Sequence, residues 1–236
     1  MTDNRAESNG DRPARAKRLP RAVRERQILD AAVAVFSQRG YHAASMDEIS
    51  EVAGISKPMI YAYLGAKEEL FAACIQREAT RLVEAIAGVV DESLPPREQL
   101  WRGIQGFFAF VADNRDSWRV LHRQAGTQGE PFAAELTAGR KRAISVIGLL
   151  LEHAAQAQGV GSFAEGQTEP LAAGLVGAGE SLADWWLDHP EETPKAMSGR
   201  LMNLVWMGFG NLVQGTGWRP SQAEDAGLQR SDEVSA

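Results

Sequence analysis

Two serines mark points where the chain could bind a phosphate group. Ser45 is followed three positions later by Glu48, and Ser56 is followed two positions later by Pro58. Serine caps the start of a helix, glutamate three residues on completes a capping box, and proline costs little in the first helical turn. Because helix amino termini present free N–H groups and a partial positive charge, each start could bind a phosphate. The pattern predicts two short consecutive helices, each beginning at one of the serines.

The residue types that enzymes and metal sites use have no comparable arrangement. The single cysteine, Cys74, lies within a predicted helix, where an inert, buried thiol is the expected role. The stretch GVGSFA at 159–164 matches a dinucleotide-binding fingerprint on paper, but no strand precedes it. The four histidines are scattered without metal-ligand spacing: His42, His122, His153 and His189. We therefore predict a protein that is not an enzyme and has neither a metal site nor a cofactor.

Positive charge is concentrated near the amino terminus. Residues 12–26 carry seven basic side chains and one acidic one, whereas residues 71–236 carry 14 basic and 21 acidic side chains. A basic arm on an acidic body is typical of a nucleic-acid-binding end, and a solubilising tail is the alternative. We predict a flexible basic arm over residues 1–20.

The composition is that of an ordinary globular protein. The chain has 236 residues, of which 44% are hydrophobic and 24% charged, enough for one large or two small domains. No apolar run approaches the roughly 20 residues of a membrane-spanning helix, and residues 1–20 lack the apolar core of a signal peptide. A single cysteine cannot form an internal disulfide, which suits a reducing compartment. We predict a cytoplasmic protein without membrane contact.

The segments between the prolines have helical periodicity, and none alternates as a strand does. They are rich in Ala, Leu, Glu, Arg and Gln, which favour helix. We predict an all-α fold, with Thr193 capping the last helix and a disordered tail over residues 216–236. The nine predicted helices cover residues 21–39, ended by a left-handed Gly40, then 45–53, 56–64, 67–90, 96–114, 116–125, 131–158, 169–188 and 194–214.

The two short helices and the longer helix before them form a helix-turn-helix pattern, with Gly54 in the turn. Such a second helix can enter the major groove of DNA with its amino terminus first, while the helix starts contact phosphates. The pattern alone is also common in all-α proteins that do not bind DNA.

The residues around this turn resemble a known family. The sequence AGISKPMIYAYLGAKEEL at 53–70 is similar to the signature of the TetR family of bacterial transcriptional regulators. ILDAA at 28–32, Phe36, Gly40–Tyr41 and SMDEI at 45–49 continue the same pattern in register. The resemblance implies a two-domain, nine-helix architecture.

The first domain implied by the resemblance is a three-helix helix-turn-helix domain over residues 21–66. The second, over residues 67–215, would be a larger helical domain for ligand binding and dimerisation.

The family's DNA-contacting roles, carried over by position, fall at the start of the first short helix, along the second, and at the start of the helix after it. Hydroxyl and ammonium groups can donate to phosphates, and longer side chains can touch base edges. We expect one of the two tyrosines to be mainly structural. The predicted DNA-facing residues, with two arginines of the basic segment, are Ser45, Ser56, Lys57, Met59, Tyr61, Tyr63, Lys67, Arg21 and Arg24.

In that family the last two long helices pair with those of a second subunit, which implies a homodimer on a palindromic double-stranded operator. Packing within one subunit is the alternative interpretation of these helices. Small residues could allow close approach on one helix and bulky residues could fill the contact on the other: Ala172, Ala173, Gly174, Gly177, Ala178 and Gly179, then Leu201, Leu204, Val205, Met207, Phe209 and Leu212.

Apolar and aromatic residues of the larger domain could line a pocket for a small effector, although such residues more often form core. The resemblance implies a repressor that an effector releases from DNA, and the apolar lining predicts a hydrophobic effector. An all-α lipid carrier or protein-interaction module without DNA binding is the alternative. The candidate pocket residues are Ile104, Phe107, Phe108, Val111, Trp118, His122, Gln124, Glu180 and Asp184.

Overall fold

A computed structural model describes residues 20–91, 93–124, 132–157 and 168–213. Within these ranges the chain forms nine α-helices and one π-helical segment, with no strand. The predicted all-α fold is confirmed, and most of the predicted arm and all of the predicted tail lie outside the described residues. The helices are α1 (Arg21–Ala43), α2 (Met46–Ala53), α3 (Lys57–Leu64), α4 (Lys67–Ala87), α5 (Pro96–Asp113), α6 (Arg115–Trp118), the π-helical segment (Arg119–Gln124), α7 (Phe132–Ala157), α8 (Thr168–Leu187) and α9 (Pro194–Val213).

The helix starts follow the predicted caps in part. Ser45 Oγ accepts from the backbone N–H of Glu48 at 3.1 Å, as predicted. The Glu48 carboxylate, however, pairs with Arg39 at 2.9 Å instead of closing a capping box. Ser56 precedes α3 in an extended conformation, but its hydroxyl makes no capping hydrogen bond. Thr193 Oγ1 accepts from the N–H three residues later at 3.2 Å and caps α9 as predicted.

Two predicted helices differ in how they end. Gly40 has the predicted positive φ, 76°, but α1 resumes after this kink and continues through Ala43. The additional turn brings the Tyr41 ring to 5.0 Å from that of Phe71, which stabilises it. The helix predicted over 116–125 is α-helical only to Trp118 and then π-helical.

One hydrophobic core joins α1, α2, α3 and the first half of α4. Its members include the fully buried Phe36 and Phe71, whose ring centroids lie 4.7 Å apart in an edge-on contact. Val120 of the π-helical segment and Phe132 of α7 also belong to this core. The packing therefore crosses residue 66, where the sequence predicts a domain boundary.

A second core joins α5, α6, α8 and α9 around the buried Phe108, Trp118, Trp186 and Met197. Helix α5 approaches the end of α4 at Gly106, where an added Cβ would lie 2.6 Å from Val89 Cγ2. A side chain at this position would have to displace its neighbour, so glycine allows the close crossing. This close crossing sets the positions of α4 and α5, which form two walls of an internal cavity.

Candidate nucleic-acid interface and internal cavity

Helix α3 buries one side and leaves the other open. Ile60 is fully buried in the first core and anchors the helix, while Met59 and Tyr61 are 36% and 44% exposed. Ser56, Pro58 and Ala62 are exposed on the same short helix or directly before it. An exposed helix face that follows a tight turn has the form needed to enter a DNA groove.

The turn between α2 and α3 is held by hydrogen bonds. Gly54 has φ 62°, a left-handed conformation that glycine adopts at little cost. Ser50 Oγ donates to the carbonyl of Ile55 at 2.7 Å. Gln27 Nε2 of α1 donates to the carbonyl of Ala53 at 2.7 Å. These bonds fix the angle between the two short helices and dock them on α1.

The predicted phosphate and base contacts at the helix starts are accessible. Ser45 is exposed at the start of α2, and Lys57 is half-buried in the first turn of α3. Lys57 Nζ forms an ion pair with Asp47 at 3.0 Å, and this hydrogen bond raises the pKa of Lys57. The ammonium therefore stays charged. It is already paired with the Asp47 carboxylate, so a DNA phosphate would have to displace that carboxylate or share the ammonium with it.

The two tyrosines of α3 differ in environment. Tyr61 is on the exposed side, whereas Tyr63 is half-buried and packs against the first core. The guanidinium of Arg21 lies 5.2 Å from the centre of the Tyr63 ring. Tyr63 therefore joins α3 to the start of α1, and the structural role expected for one tyrosine falls on it.

Lys67 is engaged within the chain at the start of α4. Its ammonium donates to the backbone carbonyl of His42 at 3.1 Å and lies 4.7 Å from the centre of the Tyr41 ring. Burial lowers the pKa of Lys67. The predicted phosphate contact thus starts from a side chain that already links α4 to the end of α1.

The two arginines at the start of α1 differ as well. Arg21 is exposed and pairs with Glu25 at 2.7 Å, while Arg24 is half-buried on the following turn. Both lie next to the basic arm, whose first 19 residues are outside the described part of the chain.

The larger domain contains a cavity of about 550 Å³ between α4, α5, α7, α8 and α9, with residues of α6 and the π-helical segment also in its wall. Five of the nine candidate pocket residues line it, namely Ile104, Phe107, Trp118, His122 and Glu180. Phe108 and Val111 are fully buried in the second core instead, and Asp184 is not part of the lining. The side chain of the ninth candidate, Gln124, lies outside the described residues.

Arg140 of α7 is a charged cavity residue that the sequence did not indicate. Its guanidinium pairs with Glu180 of α8 at 3.0 Å, and both side chains line the cavity. Burial raises the pKa of Glu180, and the charge of Arg140 opposes that shift. The two partners are 40 positions apart in sequence, so only the packing of α7 on α8 reveals the pair.

His122 lies flat against Trp118 at the cavity wall, with ring centroids 3.7 Å apart. Burial lowers the pKa of His122 to about 4, Asp184 opposes the shift and Arg140 adds to it. The imidazole is therefore neutral at neutral pH. The indole Nε1 of Trp118 is buried and makes no hydrogen bond.

A chain of ion pairs and hydrogen bonds centred on α4 runs from α1 to the junction of α5 and α6. Glu78 is fully buried and pairs with Arg77 at 2.6 Å and Arg81 at 2.7 Å. Arg77 also pairs with Asp30 of α1 at 2.7 Å, and Arg81 donates to the side chain of Asn114, which lies between α5 and α6. The network thus joins α1, α4 and the α5–α6 junction.

The described ranges contain neither a metal-binding cluster nor a membrane-spanning helix. No group of three or more His, Cys, Asp or Glu side chains in them could hold a metal ion. None of the described helices has the length and apolarity needed to cross a membrane.

Both halves of the chain match models of one protein family. A model described as bacterial regulatory proteins of the tetR family matches residues 28–74, and one described as the tetracyclin repressor-like C-terminal domain matches residues 96–208. The HTH-type transcriptional activator FasR of Mycolicibacterium smegmatis is 30% identical over 216 residues, which cover 89% of this chain and 95% of that relative. The chain belongs to the TetR family. It is a DNA-binding transcriptional regulator.

Solved structures of similar chains have the same fold. A TetR-like transcriptional regulator from Rhodococcus sp. RHA1 is 48% identical, with a TM-score of 0.67 over 82% of this chain and 99% of that one. The regulator FadR from Bacillus subtilis, solved in complex with stearoyl-CoA, is 19% identical, with a TM-score of 0.67 over 76% of this chain and 96% of that one. Because the chain belongs to the TetR family, the alternative interpretation as a carrier or interaction module without DNA binding is rejected.

Proposed function

We propose that the regulator binds a palindromic operator as a homodimer and leaves it when a long-chain fatty acyl effector fills the cavity. The observation that carries the proposal is the cavity itself, which has a mostly apolar lining and two charged side chains at one side. Its volume of about 550 Å³ lies within the roughly 300–1,000 Å³ that is usual for small-molecule sites.

Similarity to FadR supports an acyl effector, since that protein was solved with stearoyl-CoA and shares the fold. A mostly apolar pocket of this size with a few polar groups is the usual form of a small-molecule site. We propose no catalytic role and no cofactor for the chain. Its site of action would be the bacterial cytoplasm, where its operator lies.

The proposed dimer would form through α8 and α9. Leu204 and Trp185 are 68% and 44% exposed, and Gly174 has open space beside it. Other residues of the predicted contact face their own subunit, because Ala172, Leu201 and Val205 are buried in it. An operator with two-fold symmetry needs a dimer with the same symmetry. These exposed side chains could form the contact between its two subunits. The side chains of Met207, Phe209 and Leu212 lie outside the described residues.

The proposed DNA contact is made by the exposed side of α3 and the start of α2. Ser45, Ser56, Lys57, Met59 and Tyr61 supply it, and we place Tyr63 and Lys67 in supporting positions behind it. Arg21, Arg24 and the basic arm would contact the neighbouring backbone. Neutralised phosphates release counterions, so binding should weaken steeply as salt is raised.

Coupling between the two sites would run through the segment that carries Trp118 and His122. An effector that binds better to one arrangement of the subunits must weaken DNA binding by the same factor that DNA weakens effector binding. Whether transcription then rises or falls depends on where the operator lies relative to the promoter.

The test is equilibrium binding of the full chain to fluorescent DNA from its own upstream region, with and without stearoyl-CoA. We expect salt-sensitive binding to one palindromic sequence and a Kd about tenfold or more higher with ligand. Equal Kd values in the presence of bound ligand would reject the coupling, and absence of specific binding at low salt would reject the operator.

A further inference from the structure

The charged groups at the cavity wall balance one another. Arg140 carries the one positive charge among the described residues of the lining, and Glu180 pairs with it at 3.0 Å. His122 adds no charge at neutral pH, because burial lowers its pKa to about 4. Asp184 is close enough to His122 to oppose that shift, so a second carboxylate lies nearby. The site has no surplus of positive charge for an anionic head group.

The polar end of a bound acyl ligand would lie at this ion pair. The Arg140 side chain is 50% exposed although it lines the cavity, so the cavity opens to solvent beside it. Thr137, one turn earlier on α7, is a further polar group of the lining. An added Cβ on Gly177 would lie 3.4 Å from the guanidinium, so Arg140 lies against the bare backbone of α8. The apolar walls then remain for the hydrocarbon chain.

The ion pair treats two acyl head groups differently. A thioester carbonyl is neutral and can accept a hydrogen bond from Arg140 while Glu180 keeps its own, because a guanidinium has five N–H donors. A free carboxylate must compete with Glu180 for Arg140 and bring a second negative charge beside it in a partly buried site. Specificity arises as much from such unfavourable contacts as from favourable ones.

We propose that Glu180 is a specificity-determining residue that makes the cavity select acyl thioesters over free fatty acids of the same chain length. The inference rests on the proposed function, because it presupposes an acyl ligand in this cavity. It adds the chemical class of the head group and assigns the discrimination to one carboxylate.

Stearate and the thioester should also differ in how many protons the protein takes up when each one binds. Two carboxylates beside one guanidinium in a partly buried site repel each other, which favours protonation of one of them, so stearate binding should be accompanied by proton uptake. Thioester binding should take up none, because no second carboxylate enters. Burial raises the pKa of Glu180 and so acts in the same direction, while the charge of Arg140 opposes it.

The experiment compares the full-length wild type with Glu180→Gln and a control, Glu169→Gln. Glu169 lies on the same helix, is exposed and does not line the cavity, so the control removes the same charge elsewhere. Dissociation constants and heats are measured by titration calorimetry for stearate, stearoyl-N-acetylcysteamine and stearoyl-CoA, in two buffers of different ionisation enthalpy. The N-acetylcysteamine thioester separates the effect of the thioester from that of the coenzyme phosphates. Thermal melts confirm that each variant is folded.

We expect the wild type and Glu169→Gln to bind the N-acetylcysteamine thioester about tenfold or more tightly than stearate. In Glu180→Gln that ratio should fall to about threefold or less, and proton uptake with stearate should disappear. An unchanged ratio in the folded Glu180→Gln protein would overturn the assignment to Glu180 while leaving the acyl effector intact. A wild type that binds stearate as tightly as the thioester would overturn the selectivity, and one that binds none of the three ligands would overturn the acyl effector and the inference together.

Discussion

Trp118 and Val120 are two positions apart and lie in different hydrophobic cores. Trp118 is fully buried in the core of the larger domain and lines the cavity. Val120 is fully buried in the core of the helix-turn-helix domain, where α1, α2, α3 and α4 meet. The change from α-helix to π-helix falls between them. The proposed coupling would pass movement of the indole on to Val120, a side chain inside the DNA-binding half.

Val120→Ala should weaken communication between the cavity and the operator. The smaller side chain leaves a gap in the first core and should lower the free energy of unfolding by about 1–2 kcal/mol. The factor by which stearoyl-CoA raises the operator Kd should fall toward one. The measurement is the operator Kd with and without saturating ligand.

The matched control is Val111→Ala, which removes the same atoms from a fully buried position in the second core that does not line the cavity. This variant should lose similar stability but keep the ligand response. If both variants keep it, Val120 does not carry the coupling.

Lys57 and Asp47 should have opposite effects on DNA affinity. Lys57→Ala removes a positive charge from the first turn of α3 and should raise the operator Kd about tenfold. Asp47→Asn removes the exposed anion that pairs with Lys57 at 3.0 Å, so the ammonium becomes free for DNA. It should lower the Kd about two- to threefold on specific and non-specific DNA alike.

Binding curves at two salt concentrations would measure both effects. Weaker DNA binding by the folded Asp47→Asn protein would show that the ion pair positions Lys57 for DNA instead of competing with it.

The stability of the protein should fall between neutral pH and pH 5 because of His122. The pKa of this imidazole is about 4 in the folded chain, against an ordinary value of 6.5, since burial disfavours the charged form. Between these pH values the unfolded chain binds more protons than the folded chain. The contribution of His122 to the free energy of unfolding is therefore complete above pH 6.5 and is lost as the pH falls toward 4. At pH 5 the expected loss from this group is about 2 kcal/mol.

His122→Phe keeps an aromatic ring against Trp118 and removes the titrating group. Urea unfolding of the wild type and the variant at pH 7.5 and pH 5 would isolate the contribution as the difference between the two pH responses. Equal pH responses in the two proteins would contradict a neutral, buried His122.

Leu204→Glu should dissociate the proposed dimer. The wild-type side chain is 68% exposed in the single chain, and a charge there would have to be buried in the contact between subunits. Sedimentation should show a monomer, and operator affinity should fall by about tenfold or more, because each half-site would be bound alone. Leu149→Glu is the matched control on α7, since that leucine is 62% exposed and lies outside the proposed contact. A dimeric Leu204→Glu protein would place the interface elsewhere.

The helices could be predicted from the sequence because their signals are local. Thr193 with the proline after it, and Ser45 at the start of α2, fix helix starts through contacts within one turn. The exposed side of α3 follows from the same short-range spacing and from the TetR-like residues. Gly40 shows where this stops: its positive φ is a local property, but the turn after it forms because Tyr41 packs on the distant Phe71.

The cavity could be predicted only in part, because its walls come from six helices and the π-helical segment. Ile104 and Phe107 face it, whereas Phe108 and Val111 on the same helix face the second core. A helix that packs on two sides buries residues all round, so its periodicity does not distinguish a cavity from a core. Arg140 gave no signal in the sequence, since an arginine on an amphipathic helix is ordinarily solvated.

Placement of α3 in a groove of operator DNA can be tested most directly by crosslinking from Met59. The natural Cys74 is fully buried and burial raises the pKa of its thiol, so Met59→Cys introduces the one reactive thiol of the described chain. Labelled with a photoactivatable aryl azide, it should crosslink to bases within each half-site of the operator. Leu149→Cys, exposed on α7, is the control and should give no such product. Crosslinking from position 59 no greater than from position 149, with the operator bound, would contradict the account.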